Sequence, residues 1–367
     1  MKQNILICIV ASLLGCSINC QKDVPLSAFR DDQSGLIGFK DQNGRVQIDA
    51  AYTDFTTARR FDKIVAVSED KHGKAEIYYL TKSGKVNGGK NVYFFDNGPD
   101  CESEGFIRFT DAKTDKVGML NGNGDIVIPA EYDDLSNVRN GCVIALKGAK
   151  KQYPHGNNPS GCNHFSWVGG RKYLIDTRNR IIINNINNES HLNLFSLQTG
   201  QKPVKDANRE NFLGVDGRYY SFIDYQKEFQ EWLNALLLHF PSEKKLMECS
   251  YHKIYIWKEP EGWTAETSSE FIHRNYDLLK NKFAAISKKN ADRFFSIDGL
   301  NPFIYKTAEF DRYYNNCGEP KEWQYPIVSI VMNRKTKNDF NQDIFEFLRT
   351  ENGYKLISMT IRSEKIK

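Results

Sequence analysis

A chain of 367 residues with 40% apolar residues, among them 23 Phe and 18 Tyr, can fill two or three packed cores, which excludes a globally disordered polymer. The net charge is +4 and neither half of the chain is basic, so no phosphate-binding footprint is indicated and nucleic acid is not an expected partner.

The first element is a leader. Met1-Lys2 gives a short positive start, and Ile5 to Leu14 is an apolar run of ten residues. Spanning a bilayer takes about 20 residues, so the run fits the core of a secretory signal over residues 1–15. It ends in Leu13-Leu14-Gly15-Cys16, which resembles the lipobox of bacterial lipoproteins. The resemblance implies cleavage before Cys16, thioether lipidation of that cysteine with palmitate-type chains, and a lipid anchor in the cell envelope. Ser17 in place of Asp fits sorting to the outer membrane. Residues 16–34 read as a polar tether. Export also permits disulfides. Cys20, Cys101, Cys142, Cys162, Cys249 and Cys317 remain after cleavage, and six cysteines allow 15 complete pairings, among which sequence does not choose.

From residue 35 the chain repeats. At a spacing of 40 residues Gly44, Gly84 and Gly124 align, as do Phe39, Tyr79 and Met119, and Val46, Val86 and Ile126. A tight turn needs a residue at φ > 0, which Gly adopts without steric cost, and alternating apolar residues on either side make two strands with one buried face. A fourth copy is displaced by the loop Lys151–Ser166: Asp176-Thr177-Arg178-Asn179-Arg180 matches Asp41-Gln42-Asn43-Gly44-Arg45, with Asn179 at the Gly place. The pattern Gly-aromatic-x-Asp-x-x-Gly-x-Val-x-Ile-Pro-x-x-Tyr-Asp is similar to the WG-repeat (KWG) family, with Ile37 and Val117 where that family has Trp. The resemblance implies an all-β array over residues 35–195, built of three-strand units of about 40 residues that are stable only when stacked. It brings no catalytic residues.

Residues 196–215 are read as a linker, and residues 216–367 as an α+β domain. Phe222, Tyr225, Phe229, Trp232, Leu236 and Phe240 recur at helical spacing up to Pro241. Ser250–Trp257 alternates as a strand. Thr267-Ser268-Ser269-Glu270 is a capping box opening a helix with Ile272, Tyr276, Leu279, Phe283 and Ile286 on one face. Tyr325–Asn333, Asp343–Thr350 and Tyr354–Ile361 read as an antiparallel meander. Helices followed by such strands resemble nuclear transport factor 2-like, cystatin-like cone domains, which implies a helix packed on a curved sheet around a pocket.

Candidate chemistry is sparse. His155, Cys162 and His164 lie close together on the inserted loop and are zinc-ligand types, but their spacing matches no standard site, so no metal is assigned. His252 and His273 read as surface or packing histidines. Ser190-His191 with Asp176 has triad residue types without a nucleophile elbow. The tryptophans Trp232, Trp257, Trp263 and Trp323 are read mainly as core by their spacing, with the lining of a ligand pocket as the alternative for some of them, which sequence does not separate from core. No catalytic residue and no cofactor is assigned, and the expectation is a binding protein, not an enzyme. Its partners are the membrane, through the anchor, and an unidentified protein, peptide or glycan. The alternative is an envelope enzyme with a small-molecule or glycan site in the C-terminal pocket. Converging carboxylate and imidazole groups there would favour the enzyme, and a cone packed with Phe and Tyr would favour binding.

Overall fold

The computed structural model describes residues 24–84, 86–87, 91–95, 98–153, 165–187, 189–237, 242–258, 260–288, 290–335, 340–362 and 366. The expected leader, Cys16, Cys20, and the cluster of His155, Cys162 and His164 lie outside them. The described chain is mostly β, arranged in several antiparallel sheets.

The four turns expected from the repeat all form. Gly44, Gly84, Gly124 and Asn179 have φ of 78°, 73°, 83° and 61°. Each donates its N–H to the carbonyl three residues earlier, on Asp41, Thr81, Asn121 and Asp176, at 2.9–3.0 Å. In three of them the residue that opens the turn also caps it. The Oδ1 atoms of Asp41, Asn121 and Asp176 accept from the backbone N–H groups two and four residues on. This is why Asp or Asn recurs at that position.

A fifth hairpin was not expected. Arg209–Leu213 and Tyr219–Asp224 pair around Gly217, whose φ is 77° and whose N–H bonds to Gly214 O at 3.1 Å. Gly214 N bonds to Arg218 O, as Asp41 N bonds to Arg45 O. Gly214 stands where the capping Asp stands elsewhere, which hides the copy in the sequence. Part of the stretch 196–215, read as a linker, is therefore strand. Leu26–Arg30, inside the stretch read as tether, is also a strand, pairing with Ile37–Lys40. Leu26 is buried, and Ala28 packs against the same cluster, which holds the strand to the array.

In the first four units a third strand flanks the first strand of the hairpin. Leu26–Arg30, Ile64–Lys71, Phe106–Thr110 and Cys142–Gln152 take this place. In the fifth, Leu192–Gly200 pairs with the second hairpin strand instead. The cores sit in the seams between units. One cluster joins Phe39 and Tyr52 to Val65, Val67 and Leu80. The next joins Ala66 and Tyr79 to Ile107, Phe109 and Leu120. A third joins Met119 and Ile128 to Val143 and Ile175, and a fourth joins Leu174 and Ile183 to Leu192 and Phe222. Each unit thus buries its apolar side on its neighbour.

The helices follow. α1 (Tyr225–Leu237) begins after Phe222, which belongs to the strand before it, because Asp224 caps the N–H groups of Gln226 and Lys227 and so starts the helix at Tyr225. Phe240 and Pro241 lie outside the described residues. α2 (Glu243–Glu248) is short. α3 (Ser268–Ile286) is capped by Thr267, which accepts from Glu270 N. A six-stranded sheet runs in the order Gly262–Thr267, Ser250–Lys258, Gly353–Thr360, Phe340–Thr350, Ile327–Lys335, Arg293–Asp298. Its pairs are antiparallel apart from Ser250–Lys258 with Gly353–Thr360, which is parallel. α3 lays Phe271, Ile272, Leu279, Phe283 and Ile286 on one face, against Ile254, Ile256, Phe345, Phe347 and Met359. Under it Lys282 Nζ and Asp343 Oδ2 form a fully buried ion pair at 3.0 Å.

Candidate functional site

Strand alternation sends every second residue of this sheet to the face opposite α3. One end of that face is covered. Tyr251, Tyr255, Ile327, Leu348 and Ile357 pack there under Leu300, Tyr305, Phe310, Tyr313 and Tyr314, which come from the long connection before Ile327. Beyond the cover lies a buried polar strip, in which the Ser358 hydroxyl donates to the Glu346 carboxylate. Burial pushes the Glu346 carboxyl above its ordinary value.

The other end is open. Trp263, Trp257, Thr360 and Ile344 are successive cross-strand neighbours on four adjacent strands. With Gln342 and Arg362 they line a cleft of about 350 Å³. The two indoles meet edge to face, with centroids 5.7 Å apart and planes at 70°. Trp263 is 39% exposed. Gln342 Nε2 donates to Asn333 Oδ1 at 3.1 Å, which orients its amide. The Arg362 N–H donates to Asp343 Oδ1 at 3.0 Å, so the backbone at this strand end is tied to the buried pair under α3. The Arg362 side chain has no hydrogen bond or ion pair among the described residues.

The sequence candidates lie elsewhere. His252 Nε2 is 2.9 Å from Glu309 and His273 Nδ1 is 2.8 Å from Glu243, both at the surface. Ser190 and His191, on a single 3-10 turn, border a second cleft of about 220 Å³ with Gln226, Phe295, Ser296 and Ile297. Asp176 does not orient His191. Its carboxylate caps its own hairpin turn and holds Arg180 Nε at 2.7 Å. Cys101 and Cys317 are disulfide-bonded, while Cys142 and Cys249 carry free thiols. Burial pushes the Cys142 thiol up to about 11, which keeps it unreactive at neutral pH. Among the described residues no three His, Cys, Asp or Glu side chains gather as metal ligands, and no helix is long and apolar enough to cross a membrane.

Sequence reasoning did not assemble the Trp257–Trp263 cleft. The available signal was Trp-Lys-Glu-Pro-Glu-Gly-Trp from Trp257 to Trp263, two tryptophans that a short turn brings directly opposite each other on one side of a hairpin. The remaining lining residues come from two strands, and from the residues just after the second, about 80 to 100 positions later and carry no local mark.

A family profile described as WG containing repeat matches residues 118–150. The match begins at Gly118 in the third hairpin and ends within the strand Cys142–Gln152, so the chain contains a WG repeat there. No curated protein matches the chain.

Proposed function

We propose that the protein is a lipoprotein of the bacterial envelope, anchored through Cys16 and sorted to the outer membrane, that acts as a binding and interaction scaffold. Its β-repeats form one module. The residues from about 216 onward form a second, an α+β domain of nuclear transport factor 2-like kind that holds a ligand. The partner is a protein, peptide or glycan.

The observation that carries this reading is the use of the patterned positions. The recurring residues of the array are spent on turns and seams. The covered end of the sheet face opposite α3 is packed with Tyr251, Tyr255, Tyr305, Phe310, Tyr313 and Tyr314 together with leucine and isoleucine. A general acid–base site needs two polar groups in mutual reach around a space for substrate. The order of helices, hairpin, α3 and meander, with the first strand returning beside the last, supports the cone resemblance.

Metabolic labelling with a fatty-acid analogue tests the anchor. Wild type takes up label and fractionates with membranes, and Cys16→Ser does neither. Label retained by Cys16→Ser, or absent from wild type, contradicts the proposal.

A further inference from the structure

We infer that the cleft lined by Trp257, Trp263, Gln342, Ile344, Thr360 and Arg362 binds a saccharide through a ring that carries a carboxylate. This rests on the binding reading above and gives it a site and a ligand class.

Five of the six lining residues sit on four adjacent strands, which holds them at fixed spacing, and Arg362 follows two residues after the last of these strands with its backbone N–H tied to Asp343. Its volume of about 350 Å³ lies at the small end of ligand pockets and suits a single ring or the end of a short chain. The two indoles stand at 70° and form a corner. A flat aromatic ligand is best held in a slot between near-parallel rings. A corner instead offers one indole face to the C–H side of a puckered ring and a second indole to its edge.

The polar groups are of the kind that sugar hydroxyls pair with. Gln342 keeps its amide oxygen as an acceptor while its nitrogen is held by Asn333, and the Thr360 hydroxyl both donates and accepts. Arg362 supplies the charge. Among the described residues its guanidinium is the one ionic group in the lining, and its planar fork matches a carboxylate in two-point contact. A neutral sugar would leave that fork to solvent, and a phosphate would make no use of the indole corner.

Titration of the full chain, followed by tryptophan fluorescence, tests the inference with glucuronic acid and digalacturonic acid as probes, and with methyl glucoside and indole-3-acetic acid as controls. The expected result is saturable quenching by an acidic sugar that exceeds that by either control. Trp263→Ala weakens it at least about tenfold, as loss of a central aromatic contact does. Arg362→Gln reduces the acidic sugar to the affinity of methyl glucoside. Both side chains are exposed, and a thermal melt of each variant confirms folding. Absence of quenching by either acid, a preference for indole-3-acetic acid, or quenching unchanged in both variants overturns the inference and leaves the scaffold reading standing. Release of new reducing ends from digalacturonic acid, lost in Trp263→Ala, supports the site and overturns the reading of binding without turnover.

Discussion

Cys101 and Cys317 are bonded across 216 residues of sequence, with their Cα atoms 6.1 Å apart, and so tie the repeat array to the connection that covers the C-terminal sheet. Hydrogen bonds run alongside: Arg59 N donates to Asn316 O at 2.9 Å and Arg60 Nε to Asn316 Oδ1 at 2.9 Å. Farther along the junction the Arg139 guanidinium lies 4.6 Å from the Trp323 ring centre. Closing so long a loop restricts the unfolded chain, and a native disulfide is typically worth about 2–5 kcal/mol. Cys101→Ser/Cys317→Ser is therefore expected to melt at lower temperature. Alkylation of the denatured, unreduced protein followed by mass measurement checks the bond itself, and Cys101 and Cys317 are expected to be protected while Cys142 and Cys249 are labelled.

Phe109 lies directly across from Gly118, and Phe29 across from Gly38. In the other two units the sizes are reversed, with Val67 opposite Tyr78 and Ala145 opposite Tyr173. One large side chain fills each of these places, from one strand or the other. A Cβ at Gly118 would stand 2.6 Å from the Phe109 ring and 2.7 Å from Ile128 O. Gly118→Ala should destabilise by about 1–3 kcal/mol through overpacking. Adding Phe109→Leu should recover part of the loss, the part remaining being the contact with the Ile128 carbonyl. Denaturant unfolding of the single and double variants measures both.

The equivalent turns should respond differently to substitution. Gly124→Val forces a β-branched residue to φ 83° and should cost about 1–3 kcal/mol. Asn179→Gly would relieve strain at φ 61°, which taken alone predicts a neutral or stabilising change. The Asn179 side chain, however, accepts from Tyr132 Oη at 2.7 Å and donates to Glu131 at 3.0 Å. Losing two hydrogen bonds of about 1 kcal/mol each outweighs the relief, so Asn179→Gly should destabilise by roughly 1 kcal/mol. Thermal melts of both variants decide.

That reversal shows where sequence reading stops. The turns were legible because φ > 0 favours Gly and Asn, and because Asp or Asn opens and caps three of the four. The fifth turn was hidden because Gly214 removes the cap while the backbone path stays the same. The helix cap at Thr267 and the closing meander were legible from local pattern. The disulfide, the reversed Phe–Gly and Ala–Tyr pairs, and the cleft at Trp257 depend on which strands lie side by side, and one sequence carries no local signal for that.

Glu102 is buried beside the disulfide and accepts from Asp62 N at 2.7 Å and Lys63 N at 2.9 Å. Burial pushes its carboxyl up to about 7, against the opposing pull of those two N–H groups. A carboxyl raised on folding stabilises the folded state while protonated. That contribution is present below its unfolded value near 4.5 and is lost as pH rises through 7, to the order of 3 kcal/mol at about 1.4 kcal/mol per unit. Glu102→Gln, which stays neutral, should gain stability relative to wild type as pH is raised from 5 to 8. Parallel denaturant curves for the two proteins across that range would show a constant difference if Glu102 does not titrate on folding.

The central claim is that the protein binds without turning over. The most direct measurement is a screen of the full chain, purified without added metal, against esterase, glycosidase and peptidase substrate panels, together with His191→Ala, His252→Ala and His273→Ala. The account predicts no turnover by wild type. It predicts melts changed by less than about 1 kcal/mol for His252→Ala and His273→Ala, since each ends a surface contact with a single glutamate. Turnover by wild type that one of the three substitutions abolishes while the melt stays unchanged would contradict it, and would place an active site at that histidine.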